Sequence, residues 1–365
     1  SEIIKMIGSL YHLPASGGGN LTTGGTESTI LALKAYKKLK KKYLPFFTPE
    51  VLCTKTVHAA VNKACELLDL NIVYVNLDEN NVMDVFDLQN KISFKTCVII
   101  GSAPCFAYGL MDPLADIAYV AESNNIPFHV DACLGGFLTQ FDYNLKFTFD
   151  LNIQSISVDP HKFGYAPKGS SVLLWKDEKM KHNQYFVVQD WTGGIYATSS
   201  LTGTRPGNII AGTWAALTSF GLEGYRESAK KINEALMHMK HGIEGIGDLF
   251  IYGNPHLNVI GIGSNTVNIY TVAEKLNQNG WNLNMLQNPK SIHFCITLQH
   301  TDVELRERFI KDMREAVEYA KKNSTFEGSL TGMYGTMVEI NDNQITDDII
   351  VGYLNTILKL QQNKK

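Results

Sequence analysis

The sequence predicts an α/β protein: a large domain built on a mostly parallel sheet, followed by a smaller C-terminal α/β domain. Two observations carry that reading. Between about residues 50 and 175, short β-rich runs alternate with helix-like segments, the pattern of a parallel sheet with helices on both faces. Around 221–225 the character changes, and a long helical stretch leads into a second strand-rich region.

The predicted strands of the first part are Val51–Thr54, Ile72–Val75, Cys97–Ile100, Phe128–Val130, Ile156–Val158 and Val172–Trp175. Upstream, the spacing of Leu31, Ala35 and Leu39 predicts a helix opening near Gly25. That helix ends in Lys37, Lys38, Lys40, Lys41 and Lys42, where cations favour the negative end of the dipole; this run reads more readily as a solvated helix end than as a binding patch. The later part is expected to contain a helix over about 225–245, strands at Val259–Ile262, Val267–Tyr270 and His293–Thr297, and helices over 302–322 and 347–360. The domains are expected to divide as 1–222 and 223–365.

At 365 residues, 44% hydrophobic and 19% charged, the chain has the composition of an ordered globular protein. A net charge of −3 gives no global attraction to nucleic acid or an anionic membrane. Six scattered cysteines, with no CxxC pair and no histidines at finger spacing, point away from a disulfide framework or a structural metal and towards a reducing, cytoplasmic setting. No apolar run approaches the ~20 residues needed to cross a bilayer. The chain opens without Met and inside the apolar-periodic stretch Ile3, Ile4, Ile7, Leu10, which predicts a preceding segment; such a segment leaves room for an anchor or export signal.

In open α/β sheets ligands bind beyond the carboxyl ends of strands, and the chemistry-bearing residues fall there. Ser157–Gly164 runs off a strand into Pro160, His161 and Lys162. A lysine that serves as a Schiff-base nucleophile is rigidly placed and has its pKa lowered, which burial can do. An isolated lysine here is simply a turn residue; its companions change that reading. Thirty-one residues earlier, the apolar strand Ile126–Val130 ends in Asp131, a costly position for a carboxylate unless it meets a cation. Taken alone, Asp131 reads equally well as a helix N-cap. Thr22–Ser28 opens a helix with small residues that expose backbone N–H groups, so Gly25 and Thr26 form a candidate phosphate cradle. A plain glycine-rich helix entry is the bland alternative. His58 follows a strand and has the shape to stack on a flat ring, though a lone histidine is more often structural.

Phosphate loop, stacking histidine, strand-end aspartate and strand-end lysine, in this order, resemble the pyridoxal-phosphate (PLP) enzymes of fold type I, the aspartate aminotransferase-like fold. Within it they resemble the group that includes the glutamate and aromatic amino-acid decarboxylases, over roughly residues 8–225. Several stretches look closer to the sphingosine-1-phosphate lyase branch of that group: Thr23–Ser28, Gly101–Pro104 with Gly109 and Asp112-Pro113, Val130–Phe137, and His161–Ser171 with its Lys168-Gly169-Ser170-Ser171 ending.

The resemblance implies PLP as cofactor on Lys162, with Asp131 on the ring nitrogen. It implies cofactor contacts from Gly25, Thr26, His58, Ser102, Ala132, His161 and Gly203 as well. Lys168 is expected to anchor a substrate phosphate and Tyr196 to transfer a proton. The segments around Gly193–Tyr196 and Gly203–Gly207 are expected to complete the neighbouring subunit's site in a homodimer. The implied reaction is retro-aldol cleavage of a phosphorylated sphingoid base to a long-chain aldehyde and phosphoethanolamine; the alternative is an amino-acid decarboxylase of the same family. A silent scaffold relative is disfavoured by intact Lys162 and Asp131. The chain departs from the lyase pattern at Ala107-Tyr108, where Pro-His is usual, and at Ala197–Ser200.

Overall fold

In a computed structural model of the chain, residues 1–142, 144–323 and 343–362 are described. The central sheet contains β1 (Gly18–Thr22), β2 (Glu50–Thr54), β3 (Asn71–Val75), β4 (Thr96–Ser102), β5 (Phe128–Asp131), β6 (Ser155–Val158) and β7 (Ser171–Trp175), in the order β1-β7-β6-β5-β4-β2-β3. Neighbours from β3 to β6 are parallel; β7 runs antiparallel to both β6 and β1. β4, β6 and β7 are buried along their whole length, which is why they read as continuous apolar runs rather than alternating ones.

β1 was not anticipated. Its Gly-Gly-Asn-Leu-Thr sequence has little β-propensity, and its strand geometry comes from pairing with β7, Gly18 opposite Trp175 through Thr22 opposite Ser171. The helix α2 (Gly25–Tyr43), which follows α1 (Glu2–Leu10), buries Ile30, Leu31, Leu33, Ala35 and Tyr36 and ends in Lys40–Lys42. Tyr36 and Trp175 meet at 5.4 Å between ring centroids within the core.

Between β2 and β7 the crossover helices are α3 (Ala60–Leu67), α4 (Val85–Lys91), α5 (Leu114–Ser123) and the single turn α6 (Gly136–Thr139). α7 (Glu178–Lys181) and the hairpin β8 (Phe186–Val188) and β9 (Tyr196–Thr198) follow. The long α8 (Gly207–Glu244) is broken at Gly221, whose φ of 59° and ψ of −178° no helix accommodates. Residues 1–238, 252–260 and 296–301 form one compact unit.

The second unit comprises 239–251, 261–295 and the described part of 302–365. Strands β10 (Phe250–Ile251), β11 (Val259–Gly263), β12 (Asn284–Leu286) and β13 (Ser291–Cys295) form a four-stranded sheet in the order β10-β11-β13-β12, and β11 begins in the first unit. The helices are α9 (Ile269–Gln278), α10 (Val303–Lys322) and α11 (Asn343–Gln362). Phe294 and Phe309 stack at 4.3 Å, and the Trp281 indole N–H donates to Asp312 Oδ2 at 2.7 Å.

The strand expected at Val267–Tyr270 is corrected: α9 starts at Ile269. Asn268 caps it by accepting from the Tyr270 N–H at 3.0 Å, and this local cap overrides the β-propensity of Val and Ile. The strand expected at 293–297 lies two residues earlier. No helix among the described residues is long and apolar enough to cross a membrane.

Candidate active site

The carboxyl ends of β4, β5 and β6 and the N-terminus of α2 surround a cavity of about 360 Å³, within the range of small-ligand sites. It brings together Gly25, Thr26, His58, Ser102, Asp131, His161, Lys162 and Lys168 from the residues singled out above. Asp159, Cys133, Thr29 and Phe106 also line it and were missed. Ala132 is buried beside it, its N–H donating to the Ser157 carbonyl at 2.9 Å. Tyr196 and Gly203 do not line this cavity; they lie near each other, a Cβ at Gly203 falling 3.2 Å from the Tyr196 hydroxyl.

β5 delivers Asp131 by alternation. His129 and Asp131 share one face, and their β6 partners Ser155 and Ser157 share it too. His129 Nδ1 bonds Ser155 Oγ at 2.7 Å, its Nε2 lies 3.3 Å from Ser157 Oγ, and Ser157 Oγ reaches Asp131 Oδ1 at 3.4 Å. Burial pushes His129 down to about 4, against the pull of Asp131, so the imidazole is neutral at physiological pH. Burial also acts to raise Asp131, but the Cys133 N–H at 3.0 Å and the Lys162 ammonium outweigh it, and the carboxyl lies below its ordinary value.

Lys162 follows β6 on a tight turn in which its N–H donates to the Asp159 carbonyl at 3.1 Å. Its Nζ is 3.0 Å from Asp159 Oδ2. A Schiff-base lysine benefits from a lowered pKa; here burial does act to lower it, but Asp159, Cys133 and Asp131 overcome that, and the ammonium is favoured.

The N-terminus of α2 faces the cavity. Glu27 fastens its entry, accepting from the Thr23 N–H at 2.8 Å and hydroxyl at 2.6 Å, while its other oxygen accepts from the Leu201 N–H at 2.9 Å. Gly24 has open space where a Cβ would stand, and a Cβ at Gly25 would sit 2.8 Å from Cys133 Sγ and 3.0 Å from Asp159 Oδ2. His58 accepts from the Ala60 N–H at 3.1 Å and meets Phe106 edge to face. His161 Nδ1 bonds the Ser170 carbonyl at 2.5 Å, which ties the Lys168–Ser171 stretch to the lysine turn.

A half-buried, anionic Asp131 on one wall, a helix N-terminus opening at Gly24 on another, and Lys162 beside them define a site for a ligand that is cationic at one end and anionic at the other. The chain matches the pyridoxal-dependent decarboxylase conserved domain over residues 1–261 and belongs to that family. The fold is fold type I, and these residues fit the family's cofactor, pyridoxal phosphate: Asp131 for the ring nitrogen, the α2 N-terminus for the phosphate and Lys162 for the aldehyde carbon.

Among individual relatives, rat sphingosine-1-phosphate lyase 1 is 42% identical over 98% of this chain and 64% of its own length. The Arabidopsis thaliana sphingosine-1-phosphate lyase is 38% identical over 98% of this chain and 67% of its own. The solved structure of a Burkholderia pseudomallei sphingosine-1-phosphate lyase superposes with a TM-score of 0.85 at 33% identity, covering 94% of this chain and 81% of that one. The chain thus spans a little under two thirds of the rat protein.

Proposed function

We propose that the chain is the catalytic part of a lyase that cleaves sphingosine-1-phosphate, or a related phosphorylated sphingoid base, to a long-chain aldehyde and phosphoethanolamine. The observation that carries this reading is Lys168 lining the same cavity as Lys162 and Asp131, a second cation where a substrate phosphate needs one. Relatives bearing the lyase name over nearly the whole chain support it.

Lys162 would hold the cofactor and release it to the substrate amine, taking and returning protons at Nζ. Once bound, the cofactor supplies a sink for the electron pair left on C2 when the C2–C3 bond breaks. Asp131 keeps the ring nitrogen protonated, and Lys168 holds the substrate phosphate. Tyr196, away from its own chain's cavity, transfers a proton in the partner's cavity of a homodimer, and Gly203 contacts the partner's cofactor. The exposed apolar side chains of this segment, Phe186, Trp191 and Ile195 (80% exposed), favour such a partner. None of the six cysteines forms a disulfide among the described residues, which favours a reducing, cytoplasm-facing location.

The test is incubation of the purified protein with pyridoxal phosphate and sphingosine-1-phosphate, measuring aldehyde and phosphoethanolamine. Both products are expected, with KM rising in Lys168→Ala. Carbon dioxide released from amino acids, without aldehyde from the phosphorylated base, would replace this reading with the decarboxylase.

A further inference from the structure

Asp159 has no part in the mechanism above, yet it is the carboxylate nearest Lys162. Its side chain is 1% exposed, Oδ2 lies 3.0 Å from Lys162 Nζ and 3.7 Å from His161 Nε2, and Oδ1 is buried without a hydrogen-bond partner. The i,i+3 turn and the close approach of Gly25 leave it little room to move. A buried carboxylate is stable only while a cation stays with it, and Lys162 is the nearer of the two basic side chains within reach.

We propose that Asp159 is the resting place of the Lys162 ammonium whenever its nitrogen is not bonded to the cofactor: a positioning residue that keeps the lysine charged, and aimed into the cavity, between bond-forming events. The inference rests on the cofactor assignment above but not on the identity of the substrate. When the cofactor is captured, the ammonium first gives up a proton to solvent. The neutral amine then forms the C=N bond to the aldehyde carbon, and the carbonyl oxygen leaves as water. Asp159 therefore sets the pH at which capture proceeds. The other groups facing Lys162 are Asp131, at the end of β5, the Cys133 thiol after it and His161 on its own turn, with His58 and Lys168 elsewhere in the same cavity. Asp131 remains when Asp159 is neutralised, so the effect is a shift and not a loss.

Two measurements on cofactor-free protein test this. The first follows the visible absorbance of lysine-bound cofactor after adding pyridoxal phosphate across a pH range. Asp159→Asn is expected to lower the midpoint of the capture rate by about one unit or more, so that capture below the midpoint is about tenfold faster. The second reads Lys162 without cofactor, as the pH dependence of its acetylation by acetic anhydride quantified by peptide mass; the same downward shift is expected. Asp159→Glu should move both midpoints back towards the parent, and Asp159→Ser repeats the neutralisation if the Asn variant folds poorly. Acetylation midpoints that coincide in parent and neutralised variants overturn the role of Asp159. A parent that captures no cofactor but shows the acetylation shift overturns the cofactor assignment and leaves the Asp159–Lys162 pairing standing.

Discussion

Replacing His129 by Asn removes a titration that opposes folding in acid, and its size follows from the structure. His129 is 1% exposed, and burial brings it from 6.5 to about 4. Because the folded-state value is the lower one, the unfolded chain binds more protons at every pH between the two, and stability rises with pH across that window. The full drop from 6.5 to about 4 corresponds to about 3 kcal/mol. At about pH 5 the cost to the folded state is about 2 kcal/mol, and at about pH 7 it is close to zero. Asn keeps a polar atom near Ser155 Oγ, the 2.7 Å partner of Nδ1, but gives up the longer contact with Ser157. Urea unfolding at both pH values is the assay. The parent should lose about 2 kcal/mol more than His129→Asn between about pH 7 and about pH 5, whatever constant offset separates them. Equal losses would mean that His129 is charged in the folded protein or reached by water, and the neutral link between Ser155 and Ser157 would have to be abandoned.

Gly25→Ala pushes a methyl group against Cys133 Sγ and the Asp159 carboxylate; the α2 N-terminus must shift, and pyridoxal-phosphate affinity, read by fluorescence titration, should fall about tenfold or more. Gly109→Ala meets the Val259 carbonyl oxygen at 2.3 Å from a backbone with φ of 70°, so a loss of about 2–4 kcal/mol is expected in thermal unfolding. Trp175→Phe strands the buried Gln184 Oε1, which accepts from the indole N–H at 2.7 Å, and should cost about 1–3 kcal/mol by the same measurement.

The parallel strands were legible because burial on both faces leaves runs such as Cys-Val-Ile-Ile in β4 no other reading. β1 was not, because two of its five residues are glycine and the partner that straightens it lies about 150 residues away. In the site, Lys162, Asp131 and the α2 entry were legible because each is a polar residue type at the end of an apolar element, a conflict that needs a ligand to resolve it. Asp159 and Cys133 stood in the same quoted stretches but acquire meaning only through their neighbours in space. The lysine's pKa direction was not legible for that reason: burial can be inferred from a strand end, whereas a carboxylate 3.0 Å from Nζ cannot.

The charges around the cavity bear on the proposed phosphate end, which is backbone at the α2 N-terminus. Two carboxylates, Asp131 and Asp159, and two lysines, Lys162 and Lys168, line it. Lys162 is engaged by Asp159, and in the proposed function Lys168 holds a substrate phosphate, which leaves neither lysine to neutralise the cofactor phosphate. That charge falls to the first N–H groups of α2 and the positive end of its dipole. A backbone cradle works only where side chains do not intervene. At Gly24 there is open space in front of the chain, and at Gly25 a methyl group would strike the sulfur and carboxylate that brace the lysine. The same glycine therefore couples the two halves of the site: lowering phosphate affinity through Gly25→Ala should also disturb the Asp159–Lys162 pair, and the acetylation midpoint of Lys162 should move in that variant as well.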